Sequence, residues 1–219
     1  MRNNNNKNHE FSHEEIVEME LVLIKAIEAF HESPRRDEIK GYVQDYFVRY
    51  CCERKFPIQD TLDFVNPRFR RGIHLKMSDI VPESKRGQAH LVNISLLRLL
   101  NENKEVFDDK KRSEVLTNFC GLTGISKDIA TPIVEGYIKL KRKNVIEKDL
   151  YPFLETTVSK IEKAKDRKEI EDDIFGYYSE QLHVDSDYIK GVLRNKKKRD
   201  SAEKKEKAAK SLSTDNDAR

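Results

Sequence analysis

Between Phe11 and Phe30 the apolar residues Ile16, Met19, Leu23, Ile27 and Phe30 fall three or four positions apart, the stripe of a helix with one buried face. Ser12-His13-Glu14-Glu15 ahead of them has the form of a capping box. Ser12 would accept from the amide of Glu15 and Glu15 from that of Ser12, with Phe11 and Ile16 as a hydrophobic staple. Ser33-Pro34 then opens a second helix by the cap-then-proline rule, with Ile39, Val43, Phe47 and Tyr50 inward. Pro57 closes that unit, and a short third helix is predicted over 59–64, stopped before Asn66-Pro67.

Beyond Pro67 the period changes. Ile73, Leu75 and Met77 alternate with His74, Lys76 and Ser78, and a second short apolar run, Ala89 to Val92, lies across Pro82-Glu83-Ser84-Lys85-Arg86-Gly87. The alternation predicts a β-hairpin with a basic, glycine-containing tip. Three helices followed by such a hairpin resemble a winged helix over residues 11–100, in which the tip meets a DNA backbone. Arg68, Arg70 and Arg71 would add charge beside Lys85 and Arg86. An ordinary small α+β domain with solvent-facing arginines fits the same pattern.

Ile94 to Leu100 reads as a linking helix, and the polar stretch 101–112 as the domain boundary. From 113 to 195 the pattern is helical throughout, and five short helices with short connections give a bundle. Pro132 fits best as a first helical residue with Thr131 as cap, because an interior proline costs about 3 kcal/mol. The last two of these helices carry most of the functional signal. Ile170, Ile174, Tyr177 and Leu182 recur at helical spacing, the pattern breaks at Leu182-His183-Val184-Asp185, and Ile189, Val192 and Leu193 resume it after Asp185 or Ser186 as N-cap. Two helices, a tight turn and the basic exit Lys196-Lys197-Lys198-Arg199 have the form of a helix-turn-helix delivered to phosphates, with Lys190 and Arg194 on the second helix. Any small helical domain also contains such pairs, and His183 stands where a DNA-binding turn often has glycine.

Leu116-Thr117-Asn118-Phe119-Cys120-Gly121-Leu122-Thr123-Gly124-Ile125-Ser126, then Ile133 to Lys139, Lys168-Glu169-Ile170 and Tyr188 to Leu193 follow one another in an order that resembles a single cyclin-like repeat of the transcription factor B family, over about residues 110–195. The resemblance implies a five-helix repeat and a role in binding nucleic acid or a transcription complex.

Charge sharpens this picture only at one end. The 219 residues hold 42 basic and 39 acidic side chains, a net of +3. Residues 194–219 carry ten basic and five acidic groups, net +5, which leaves −2 for the other 193. The whole chain is nearly neutral, and its tail favours an anionic partner. With a single Leu212 beyond Asp200, residues 196–219 are expected to be a disordered basic tail, and the Asn-rich residues 1–10 a disordered leader.

Three cysteines, two of them the adjacent Cys51 and Cys52, make a poor disulfide framework and point to a reducing compartment, cytoplasmic or nuclear. No apolar run is long enough to span a bilayer, so no membrane partner is expected. Catalysis finds little support, since no GxxxxGK[ST], GxGxxG, GxSxG or HExxH occurs. His9, His13 and Glu14 do not make a convincing metal site, and Asp108-Asp109 and Asp172-Asp173 point to different helix faces. Tyr42, Tyr46, Phe47 and Tyr50 at helical spacing read as core more readily than as a base-stacking platform.

The expected protein is therefore mostly α: a winged-helix-like domain of three helices plus a β-hairpin, a five-helix bundle, and a disordered basic tail. It is expected to be non-enzymatic, without metal or cofactor, and to bind duplex DNA through Arg68, Arg70, Arg71, Lys85, Arg86, Lys190, Arg194, Lys196, Lys197, Lys198 and Arg199, as a transcription regulator or within a transcription or replication complex. The alternative is a helical protein–protein adaptor with a charged targeting tail. The sequence sets no oligomeric state.

Overall fold

The computed structural model describes residues 9–33, 36–70, 72–102 and 106–216. Nine helices run through them: α1 (13–32), α2 (Arg36–Arg54), α3 (Ile58–Val65), α4 (Met77–Ile80), α5 (85–102), α6 (Asp109–Thr123), α7 (127–156), α8 (Ala164–Leu182) and α9 (Ser186–Asn216). Among the described residues there is no strand, so the protein is all-α. Wide turns at Met19–Ile24, Val92–Leu96 and Ile146–Leu150 lie inside α1, α5 and α7. The chain divides into two compact units, 1–136 and 137–219, and the division falls within α7.

The N-terminal unit is built around α2. Val43, Phe47, Val48, Tyr50, Cys51 and Cys52 are all buried, as are Gln44 and Asp45, so α2 hides nearly its whole circumference from residue 43 onward. Helices α1, α3, α4, α5 and α6 pack against it. Its buried polar side chains are matched: Gln44 Nε2 donates to the Asp79 carbonyl at 2.8 Å, and Asp45 accepts from Arg49 Nε at 3.1 Å and from Arg98 Nη1 at 2.7 Å. Helix α1 enters through the capping box, with Ser12 N donating to Glu15 Oε2 at 2.7 Å and Glu15 N to Ser12 Oγ at 3.3 Å. The proposed proline start of α2 lies outside the described residues at Pro34.

The β-hairpin, and with it the wing, is not present. Residues 73–76 are neither helix nor strand, and the partner of Leu75 is a side chain: Leu75 N donates to Asn66 Oδ1 at 2.9 Å and Asn66 Nδ2 donates to the Leu75 carbonyl at 3.0 Å. One asparagine amide supplies the pair of hydrogen bonds that a second strand would have made. Met77 belongs to α4, and the expected second strand, 89–92, lies within α5. The expected hairpin tip is the start of that helix, where Ser84 is the N-cap and its Oγ accepts from Gly87 N at 3.1 Å.

Helix boundaries differ elsewhere too. Asp108 caps α6, accepting from Lys110 N at 2.8 Å and Lys111 N at 3.1 Å, so α6 begins inside the polar stretch read as a linker. Ser126 Oγ receives Asp128 N at 3.1 Å at the head of α7, which leaves Pro132 inside the helix rather than at its start. The expected disordered tail is a helix as well, since α9 continues to Asn216. The C-terminal unit closes over Ile138, Ile146, Leu150, Val158, Leu182 and Ile189.

Gly87 gives a test of this arrangement. A Cβ there would stand 2.5 Å from Pro82 Cβ, on a ring that cannot swing aside. Gly87→Ala gains about 1 kcal/mol of helix propensity but overpacks this contact at a cost of about 1–3 kcal/mol. A net loss of stability is expected on urea denaturation; a gain would show that α5 starts elsewhere.

Candidate binding groove

The basic residues singled out in the N-terminal unit are not assembled into a contact surface by a wing. Arg68 is turned onto its own fold: its guanidinium lies 3.6 Å from the Phe64 ring centroid, Nη1 donates to the Phe64 carbonyl at 2.7 Å, and Nε is 3.5 Å from Glu20. The Arg70 backbone amide donates to Glu28 Oε1 at 2.6 Å while its side chain is exposed. Lys85 and Arg86 occupy the exposed first turn of α5, where the positive end of the helix dipole disfavours cations. Arg71 lies outside the described residues.

In the C-terminal unit the basic residues of α9 come together with apolar ones. The turn before α9 places them. His183 adopts the left-handed conformation, φ 50° and ψ 54°, and Val184 N donates to the Ser179 carbonyl at 3.1 Å, the closure of a Schellman-type helix end. Asp185 is the cap of α9, its Oδ1 accepting from Tyr188 N at 2.6 Å. Arg142 of α7 fastens the turn from outside it, with Nε donating to the Leu182 carbonyl at 2.8 Å and Nη2 to that of His183 at 3.2 Å. Sequence pattern located the turn and one of its caps; nothing in it pointed to Arg142, forty residues upstream.

The helices so placed border an open groove of about 870 Å³ between the end of α7, α8 and α9. Leu154, Phe175 and Leu193 give it an apolar floor, and Arg167, Lys190, Arg194, Lys197, Lys198 and Lys205 stand along it against two carboxylates, Glu155 and Glu171. Some of these cations are already engaged. Lys197 is 3.3 Å from Glu155, and Lys190 is 3.9 Å from Asp172. Lys196 pairs with Asp200, and Arg199 with Glu147, on other faces of α9. The Lys196–Asp200 hydrogen bond raises the lysine pKa and lowers that of the aspartate. Arg194 and Lys198 are exposed and have no carboxylate partner among the described residues.

Two aromatic rings lining the groove each have an ammonium group beside them. Lys190 Nζ lies 5.3 Å from the Phe175 ring centroid and Lys196 Nζ 5.7 Å from that of Tyr151. One face of each ring is approached by one of the protein's own ammonium groups. The tyrosines of α2 do not form a stacking platform either, since Tyr50 is buried and Tyr42 and Tyr46 both pack against Phe30, with centroids 6.1 and 5.7 Å away.

Among the described residues no cluster of three or more His, Cys, Asp or Glu could hold a metal ion, and no helix is long and apolar enough to cross a membrane. Compared with protein-family models, curated proteins and solved structures, the chain matches none.

The thiols are placed for packing. Cys51 and Cys52 are buried, and burial pushes the pKa of each up to about 12, while that of the half-buried Cys120 is raised by desolvation as well. At pH 8 a thiol reagent is expected to modify Cys120 first and to reach the other two only after denaturation. Because the unfolded thiols ionise near pH 9 and the folded ones near 12, their contribution to stability is full below about pH 9 and is lost as pH rises toward 12. Denaturant midpoints measured across that range check the sign; a midpoint that rises with pH would contradict it.

Proposed function

We propose that this chain is a non-enzymatic docking protein, an adaptor that holds a partner protein in the groove of its C-terminal unit. One observation carries the reading: the basic rim borders an apolar floor. A phosphate backbone needs the cations but has no use for Leu154, Phe175 and Leu193, whereas a protein surface uses both. The loss of the hairpin removes the main support for a second DNA contact in the N-terminal unit.

Nucleic-acid binding, to duplex DNA within a transcription or replication complex, stands as the second reading. It draws on Arg194 and Lys198, two exposed rim cations without a carboxylate partner among the described residues. The two readings differ in salt dependence. A protein that neutralises Z phosphates shows log K falling with log salt at a slope of about −0.9Z. For the adaptor, a labelled random duplex of about 20 base pairs should bind no more tightly than the non-specific range of about 10⁻⁴ to 10⁻⁶ M at physiological salt. Fluorescence anisotropy from about 50 to 200 mM salt measures this. Markedly tighter binding, abolished by Arg194→Glu with Lys198→Glu, would replace the adaptor by the DNA-binding protein.

A further inference from the structure

The groove has a length and a charge pattern as well as a volume. Its α9 wall runs from Lys190 to Lys205, about 22 Å along a helix that rises about 1.5 Å per residue. Arg194, Lys198 and Lys205 sit four and seven positions apart, so they line one face of α9 at intervals of about one and two turns. An occupant that meets them in register carries carboxylates at the same spacing, and one that fills the floor carries apolar side chains between those carboxylates. A helix with one apolar face flanked by acids presents both patterns at once.

Two other anionic occupants fit less well. A single nucleic-acid strand gains affinity by stacking bases on aromatic faces, and Lys190 and Lys196 lie over the Phe175 and Tyr151 rings. A small phosphate-bearing ligand would engage a fraction of a groove this long. We infer that the groove seats an acidic amphipathic α-helix of a partner protein, about four turns long, with leucine- or phenylalanine-sized side chains over Leu154 and Leu193 and carboxylates opposite Arg194, Lys198 and Lys205. This rests on the docking reading of the same groove and names its ligand. Charge complementarity sets the direction of recognition, because six cations against two carboxylates leave the rim net positive.

The probes are labelled peptides of about 16 residues, titrated with the full chain at about 150 mM salt. One has leucines at i, i+4, i+7 and i+11 with glutamates flanking them; a second has the leucines replaced by serine; a third has the glutamates replaced by lysine. A random duplex of about 20 base pairs is the fourth. The acidic amphipathic peptide is expected to bind, and either replacement to weaken it at least tenfold. Because Arg194 and Lys198 are exposed, the R194E/K198E chain should keep its thermal midpoint while losing about tenfold in peptide affinity. The chain has no tryptophan, so Ser201→Trp in the groove wall gives a single reporter whose emission should shift to the blue on binding.

Equal binding of the serine-substituted peptide would overturn the inference, since bare charge would then suffice. So would binding unaffected by R194E/K198E, or a reporter indole at position 201 that stays silent. If the lysine-containing peptide shifts the reporter best, the acidic helix is wrong but the docking groove survives. If no peptide binds and the duplex shifts the reporter, both readings fall together.

Discussion

Burial of α2 on nearly all sides is the constraint on which the N-terminal unit depends. A helix with one apolar face can settle on a single neighbour, but one that hides Val43, Phe47, Val48, Cys51 and Cys52 together needs neighbours all round. Helices α1, α3, α4, α5 and α6 supply them. The two polar side chains drawn inside by that enclosure, Gln44 and Asp45, then determine where those neighbours sit. Gln44 requires the carbonyl of Asp79 at the end of α4, and Asp45 requires Arg98 on α5. An unmatched carboxylate at that depth would cost several kcal/mol.

The same enclosure explains what could and could not be read from the chain. Local rules worked where the partner is close in sequence: the Ser12–Glu15 box, the α1 stripe, the short α3 and the break at His183 all involve residues within about four positions. Periodicity identified one inward face of α2, at Val43, Phe47 and Tyr50, and missed that Val48 is buried beside it. The hairpin failed for a related reason. The alternation from Ile73 to Met77 marks no strand, because Met77 opens a helix and the backbone of Leu75 is satisfied by the amide of Asn66. Ser84 could be read equally as a turn residue or a helix cap; the contact of Gly87 with Pro82 that goes with the cap is a packing fact, invisible in the pattern.

For the groove, composition located the basic segment and read its part beyond Asn195 as a disordered tail. Charge counting treats Lys196, Lys197 and Arg199 alike with Arg194 and Lys198, although the first three are matched to Asp200, Glu155 and Glu147. What distinguishes a phosphate-binding tail from a docking wall is the apolar floor beside it. That floor is assembled from Leu154, Phe175 and Leu193 on three separate segments, a convergence that no window of sequence contains.

The turn between α8 and α9 is held by a guanidinium from α7 as well as by the residues that form it. Two of its members, His183 and Asp185, have replacements: glycine or asparagine suits the left-handed position, and serine, threonine or asparagine can cap α9. Arg142 reaches two consecutive carbonyls with one planar, permanently charged fork, which lysine does not match. The corner is therefore held partly from a helix that does not itself turn there.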